Sequence, residues 1–393
     1  MQRRKFIRTA GLAAGVAAGA AAGLTAGAAA LGFPTTGSAA RSLPPANRLP
    51  RWKGFNLLDF YSPGGNRSSK PTIADHFLWM RDWGFDFVRL PIAYPYYLQF
   101  DRNRDITPEE VYHTDPQKLE EIDQLVELAQ QHGMHVSLNL HRAPGYCINA
   151  GFHEPFNLWT DAAAQDAFCF HWNMWAHRYK GIGKDKISFD LLNEPTMRVD
   201  MNDQHSPSSP LPGELYRKVA AAAVAAIRKE NPDRLIIADG NGGGSYVVPE
   251  LIDLGIAQSC RGYYPHAISH YKAPWANKDP DHLPIPVWPG QVGNQYLSKD
   301  MLVKFYEPWA ALVAQGVGVH CGECGCWKKT PHPVFIAWFT DVLDILAASG
   351  IGFAPWNFIG DFGILDSGRD DVAYEDWHGH KLDRQMLELL QKH

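Results

Sequence analysis

The chain has 393 residues, 45% of them hydrophobic and 20% charged, which is enough apolar material for a large core and excludes a disordered tail. Its 37 Lys and Arg against 42 Asp and Glu give a formal net charge of −5, which argues against a nucleic-acid partner held by a basic surface. Six cysteines in this length are too sparse for a disulfide scaffold and read as free thiols or core residues.

The first forty residues carry Arg3, Arg4, Lys5 and Arg8 and no acid, followed by an uncharged Ala- and Gly-rich run from Ala10 to Phe33. This is the pattern of an export signal. The run is much poorer in Leu, Ile and Phe than a stable membrane span, which makes a retained anchor the lesser reading beside a cleaved signal. Arg3-Arg4-Lys5-Phe6-Ile7-Arg8 resembles the twin-arginine signature, and Ser38-Ala39-Ala40 offers a small-residue cleavage site. The chain therefore divides into a signal over 1–40, a proline-bearing linker over 41–50 and one domain over 51–393, with a periplasmic or secreted destination. Without the signal, 33 basic residues face 42 acidic ones, about −9, which disfavours polyanionic substrates. Export of an already folded chain, which the twin-arginine resemblance implies, also argues against a fold that depends on disulfides.

Past the linker, short apolar or β-branched runs occur at Trp52–Leu57, Phe85–Leu90, His135–Leu140, Ile187–Leu192, Leu235–Ala238, Arg261–Tyr264, Val317–Cys321 and Ile351–Asn357. Helical stretches separate them. Asp115-Pro116 gives an N-cap and a first-turn proline, Leu119, Ile122, Leu125 and Leu128 recur on one face, and Gly133 closes the segment. Similar signals bound Asp161–Tyr179, Pro212–Lys229, Ser298–Gln315, Pro333–Ala348 and Leu382–Lys392, and Pro308 is expected to kink or split the helix over Ser298–Gln315. Repeated βα units predict a parallel sheet, and eight of them predict a closed (β/α)8 barrel of the α/β class. An open doubly wound sheet would need a phosphate loop after the first strand, and Asp59-Phe60-Tyr61-Ser62-Pro63-Gly64-Gly65 is not one. Gly240-Asn241-Gly242-Gly243-Gly244 lacks the lysine and the spacing of a phosphate cradle and reads as a loop.

In such a barrel the chemistry sits at the carboxyl ends of the strands. Those positions hold Arg89, His141, Asn193 with Glu194, Tyr263, Glu323 and Trp356. Glu194 and Glu323 are 129 residues apart in sequence and would meet across the barrel mouth. Glycoside cleavage needs two carboxyl groups, one to protonate the departing oxygen and one to attack the sugar carbon or activate water. Either glutamate alone reads equally well as a helix cap or an ion-pair partner; the pair at two strand ends is what favours chemistry. Cys321, Cys324 and Cys326 bracket Glu323 but have no fourth ligand at zinc spacing. Asp361, Asp366, Asp370 and Asp371 read as a solvated acidic loop rather than a calcium site, and His378-Gly379-His380 as structural. No metal and no cofactor is expected.

Ile187-Ser188-Phe189-Asp190-Leu191-Leu192-Asn193-Glu194-Pro195 resembles the strand-four signature of glycoside hydrolase family 5, the cellulase family. Val88-Arg89-Leu90-Pro91, Leu140-His141-Arg142-Ala143-Pro144-Gly145, Cys321-Gly322-Glu323 and Ala354-Pro355-Trp356-Asn357 extend the resemblance over nearly all of residues 51–393. It implies Glu194 as general acid and base, Glu323 as nucleophile, net retention of configuration, and Arg89 and Tyr263 converging on Glu323 to lower its pKa. It further implies Asn193 at the sugar 2-hydroxyl, His141 beside it, and Trp356 as a stacking face. One position departs from the family pattern. Where a His-X-Tyr element is usual, the chain has Arg261-Gly262-Tyr263-Tyr264-Pro265-His266, so Arg261 stands at the histidine position, His266 is a candidate substitute from the next turn, and Tyr263, Tyr264 and His266 are the alternatives for the sugar contact.

Trp159, Trp275, Trp288 and Trp327 fall in loops after strands three, six and seven, a row of indoles suited to a polysaccharide or oligosaccharide. The expected activity is internal cleavage of β-1,4-glucan. The same resemblance covers β-mannanases and exo-β-1,3-glucanases, and Pro265–Lys299 is the segment that would wall off a pocket for exo action. A non-catalytic carbohydrate-binding protein and a metal-dependent hydrolase on the same barrel are the readings from other classes.

Overall fold

The computed structural model describes residues 48–64, 71–147, 152–203 and 206–393. The signal expected over 1–40 and most of the linker lie outside the described residues.

Eight parallel strands pair in chain order: β1 (Gly54–Asn56), β2 (Phe87–Ala93), β3 (His135–Arg142), β4 (Ile187–Asp190), β5 (Leu235–Asp239), β6 (Ala257–Gly262), β7 (Val319–Cys324) and β8 (Gly352–Pro355). The ends meet where Lys53 bridges Phe353 in parallel, with Phe353 N–H donating to the Trp52 carbonyl at 2.9 Å. The barrel expectation is met. Helices α1 (Ala74–Asp82), α2 (Pro116–Gln131), α3 (Ala162–Arg178), α4 (Gly213–Glu230), α5 (Lys299–Ala314), α6 (His332–Ala348) and α7 (Arg384–Lys392) flank it. Between β5 and β6 a four-residue helical turn, Asn241–Gly244, and a 3-10 turn, Pro249–Leu254, take the helix's place.

Each helix buries one stripe on the sheet, as the 3.6-residue period requires. On α2, Leu119, Ile122, Leu125, Val126 and Ala129 face inward, and the Asp115 carboxylate caps the Gln117 N–H at 2.9 Å. Helix α5 runs continuously through Pro308 rather than splitting there. The packed face of α5, with Leu302, Tyr306, Trp309 and Leu312 buried, holds the helix across the proline's missing hydrogen bond.

The strands are buried on both sides, and their interior faces change character along the barrel axis. At the amino end rings fill the lumen: Trp52 stacks on His135 at 3.8 Å and Phe87 meets His320 at 4.5 Å. Two residues further along β2, on the same face by the period of two, is Arg89, and there the lumen turns polar. Strand β7 carries a register shift between Cys321 and Glu323 against β6 and between Cys321 and Cys324 against β8. Such a bulge re-aims the side chain that follows it, here Glu323. Asp361, Asp370 and Asp366, in the acidic segment after β8, pair separately with Lys328, Lys329 and His380.

Candidate active site

The polar end of the lumen is built around two buried guanidinium groups. Arg89, on β2, donates from Nη1 to Glu323 Oε1 at 2.7 Å and to Asn56 Oδ1 at 3.1 Å, from Nε to Asp190 Oδ2 at 2.7 Å, and from Nη2 to Asn193 Oδ1 at 3.0 Å. Arg261, on β6, donates from Nε to Glu194 Oε1 at 2.9 Å and from Nη2 to Asn193 Oδ1 at 2.8 Å and Glu323 Oε1 at 3.3 Å. Its two Nη atoms also pair with both oxygens of Asp239, at the end of β5. Tyr263 O–H donates to Glu323 Oε2 at 3.3 Å.

The two glutamates sit differently. The Glu323 side chain is 6% exposed, that of Glu194 38%, so one carboxyl is walled in by donors while the other faces the mouth. Burial pushes the Glu323 carboxyl above the ordinary glutamate range; Arg261 and Arg89 pull it down, and Glu194 and Asp239 push it up. The sequence-based expectation of a lowered value named Arg89 and Tyr263, which both reach Glu323, but omitted desolvation and Arg261. Burial first and the Asp239 charge second raise Asp190 to about 7, with Arg89 opposing.

The backbone at Glu194 is unusual. It has φ +49°, a left-handed conformation that costs a non-glycine residue roughly 1 kcal/mol or more. Its N–H donates to Asp239 Oδ2 at 2.8 Å and its carbonyl accepts from Tyr146 O–H at 2.6 Å, and these bonds hold the turn.

Beside the carboxyl groups lies an aromatic floor. Trp356, just past β8, is partly exposed and stacks on His141 at 5.3 Å, and Tyr61 meets both edge-on at 5.5 and 5.8 Å. His141 Nδ1 is buried with no hydrogen-bond partner among the described residues. A second aromatic group lies around Tyr263, which meets His270 at 5.0 Å and Phe362 at 6.1 Å, while Trp275 meets Trp327 at 4.6 Å. His266 is exposed and its ring meets His270 at 4.9 Å, so His270 is the imidazole that lies against Tyr263.

Of the loop tryptophans, Trp275 is 45% exposed and Trp327 partly so, but Trp159 and Trp288 are buried. Trp159 Nε1 donates to the Thr196 carbonyl at 3.1 Å and Trp288 Nε1 to Asp341 at 2.9 Å. These two are core residues, which corrects the expected row of four. All six cysteines are free, and all but Cys169 are buried. No group of three or more His, Cys, Asp or Glu among the described residues is arranged to hold a metal ion.

Arg89, Asn193, Glu194, Tyr263 and Glu323 are thus joined in one network, with His141 and Trp356 beside it. Sequence reasoning missed Asp239, Asp190, Asn56 and Tyr146. For Asp190 the signal was present: Ser188 and Asp190 alternate with Ile187, Phe189 and Leu191, the pattern of a strand whose lumen face is polar. Asp239 fell one residue beyond the run read as strand five.

The cellulase profile, glycosyl hydrolase family 5, matches residues 46–361. Endoglucanase C of Acetivibrio thermocellus is 27% identical over 320 residues, covering 74% of this chain and 85% of its own length. A crystal structure described as a glycoside hydrolase superposes with TM-score 0.77 at 38% identity, over 87% of this chain and 99% of that one. The cellulose synthase subunit Z of Clostridioides difficile shares the fold at TM-score 0.65 and 22% identity, over 86% of this chain and 99% of that one.

Proposed function

The chain belongs to the cellulase family, glycosyl hydrolase family 5, and from that membership we propose that it is a retaining glycosidase cleaving β-1,4-glucan within the chain. The observation that carries the mechanism is that one guanidinium, Arg261, donates to Glu194 and to Glu323 together. A shared donor favours the narrow carboxyl separation of retaining enzymes, about 5–5.5 Å, over the roughly 6.5–9.5 Å that leaves room for water in inverting ones.

In this reading Glu323, fixed by Arg89, Arg261 and Tyr263, attacks the anomeric carbon. Glu194, the more exposed carboxyl, gives its proton to the departing oxygen and then takes one from the water that releases the sugar from Glu323. Asn193 has its oxygen held by two guanidinium groups, which only donate, so its amide N–H group is left to meet the sugar 2-hydroxyl. His141 Nδ1 supplies a further polar contact, and Trp356 a face for the ring to stack on. His266 would act on the sugar only through movement past His270. The substrate is a neutral polysaccharide, in keeping with the acidic balance of the domain, and no nucleic acid is involved. No helix among the described residues is long and apolar enough to cross a membrane; we propose that residues 1–40 direct export and are then removed.

The test is reducing-sugar release from carboxymethyl-cellulose, barley β-glucan, glucomannan, galactomannan and laminarin, with Glu323→Ala alongside. Release from the β-1,4-linked glucans, lost in the variant while cello-oligosaccharide binding persists, is the expected result. Release from mannans alone would move the substrate, and full activity in the variant would refute the nucleophile assignment.

A further inference from the structure

We propose that Arg261 and Asp239 act as a paired positioning device that carries Glu194 between its acid and its base duty; this rests on the roles given to Glu194 and Glu323 above.

Arg261 is built into the lumen. Besides its bonds to Glu194, Asn193, Asp239 and Glu323, its Nη1 donates to Ser259 Oγ at 3.1 Å, and Tyr306 O–H fixes its carbonyl at 3.0 Å. Two glycines make the space. Gly244 has φ +74°, and a Cβ there would lie 2.6 Å from Arg261 Cγ; a Cβ on Gly322 would lie 2.6 Å from Ser259 Oγ and 3.4 Å from Arg261 Nη1. The position at which the family usually has a histidine is therefore refitted around a permanent positive charge.

The charges around Glu194 come from every neighbouring strand. Arg89 reaches in from β2 and Asp190 from β4, paired with each other. The loop after β3 brings Tyr146, β6 and its extension bring Arg261 and Tyr263, and β5 and β7 bring Asp239 and Glu323. Arg142, at the end of β3, adds a more distant positive charge near Glu323.

A guanidinium N–H on Glu194 Oε1 favours the carboxylate, the wrong form for protonating a leaving group. Asp239 offsets this, because it accepts from both Nη atoms of the same guanidinium and is itself buried. Ionised Glu323 offsets it from the other side. With both negative charges in place the pull of Arg261 on Glu194 is opposed from two sides. When Glu323 becomes the glycosyl ester its charge is gone, and Arg261 then favours the Glu194 carboxylate. Water attacks the anomeric carbon, its proton passes to Glu194, and the bond from the sugar to Glu323 breaks with the electron pair returning to Glu323. The arginine thus favours the base form in the second step, and the aspartate preserves the acid form in the first.

The experiment is the pH dependence of kcat/KM on an aryl β-cellobioside with a poor leaving group for wild type, Asp239→Asn, Arg261→Gln and the double variant. Loss of the Asp239 charge should lower the basic limb by about one unit or more, and loss of the Arg261 charge should raise it by a similar amount. The double variant should lie between the two single variants. With a good leaving group, Arg261→Gln should also accumulate glycosyl-enzyme, seen as a burst of released phenol. If one single variant fails to fold because a buried charge is left unpaired, the other decides by the shift of its own limb, and the double variant, which removes both charges, should bring that limb back toward the wild-type position. Variants that lose rate with unmoved limbs and no burst overturn the inference and leave both as structural residues. A wild type that cleaves no cello-substrate overturns the reading on which it rests, a separate outcome from unmoved limbs in an active enzyme.

Discussion

At the scale of single residues, the site depends on donors aimed at one carboxylate. Glu323 takes two charged bonds and a neutral one from Tyr263 at 3.3 Å. Charge-assisted bonds are about twice as strong as neutral ones, so the arginines hold most of its position and Tyr263 refines it. Removing Arg89 would leave Asp190 and Glu323 short of a partner in a dry environment, which typically costs about 3–5 kcal/mol. Tyr263→Phe removes a donor without stranding a charge. It should keep the melting temperature within a few degrees and lower kcat by roughly tenfold, measured on β-glucan; an unchanged kcat would show that Tyr263 does not steady the carboxylate. Residues at strand ends were legible because barrel geometry restricts where chemistry sits. Asp239 was not, because nothing in Leu235-Ile236-Ile237-Ala238-Asp239-Gly240 distinguishes a lumen aspartate from one in a turn. The positive φ of Glu194 is likewise set by tertiary bonds that no local pattern displays.

At the scale of elements, the strongly periodic segments were read almost to the residue. Asp115-Pro116 marks where α2 begins, and α3, α4 and α6 lie within a residue or two of their expected bounds. Strand β6 was placed late, at Arg261–Tyr264, whereas it spans Ala257–Gly262. Its run Ala-Gln-Ser-Cys has no β-branched residue, and its pairing with β5 and β7 supplies what propensity does not. The correction carries weight for the chemistry, since it makes Arg261 a ladder residue opposite Glu323 rather than the start of a strand. The β7 bulge was hidden for a similar reason. Gly322 permits it, but only the two neighbouring registers reveal it. Pro308 shows the reverse case, a strong local signal overridden by packing.

At the scale of the whole molecule, the barrel separates an aromatic amino end from a charged carboxyl end, and the loops above the charged end are tied to one another. Glu154, after β3, accepts from Gly145 N–H at 3.1 Å and from Tyr94 O–H, while its own N–H and carbonyl are bonded by Asn202 at 3.0 and 3.2 Å. Burial pushes the Glu154 carboxyl up to about 8, against the lowering effect of these donors. The unfolded chain ionises near the ordinary glutamate value of about 4.3. Between those values the native state binds the extra proton, so this group's contribution to stability falls as pH rises through the window and then levels off. Glu154→Gln should remove that slope. Thermal unfolding between pH 5 and pH 8.5 should show the variant gaining on wild type as pH rises, and a gap independent of pH would contradict the burial effect.

The central claim is double displacement by Glu194 and Glu323. The measurement that bears on it most directly is proton NMR of the first sugar released from cellopentaose, before the anomers equilibrate. The account predicts that the β anomer appears first and the α anomer grows in only by mutarotation. Appearance of the α anomer first would mean inversion, and the shared Arg261 bridge would then not hold the two carboxyl groups at the separation proposed for them.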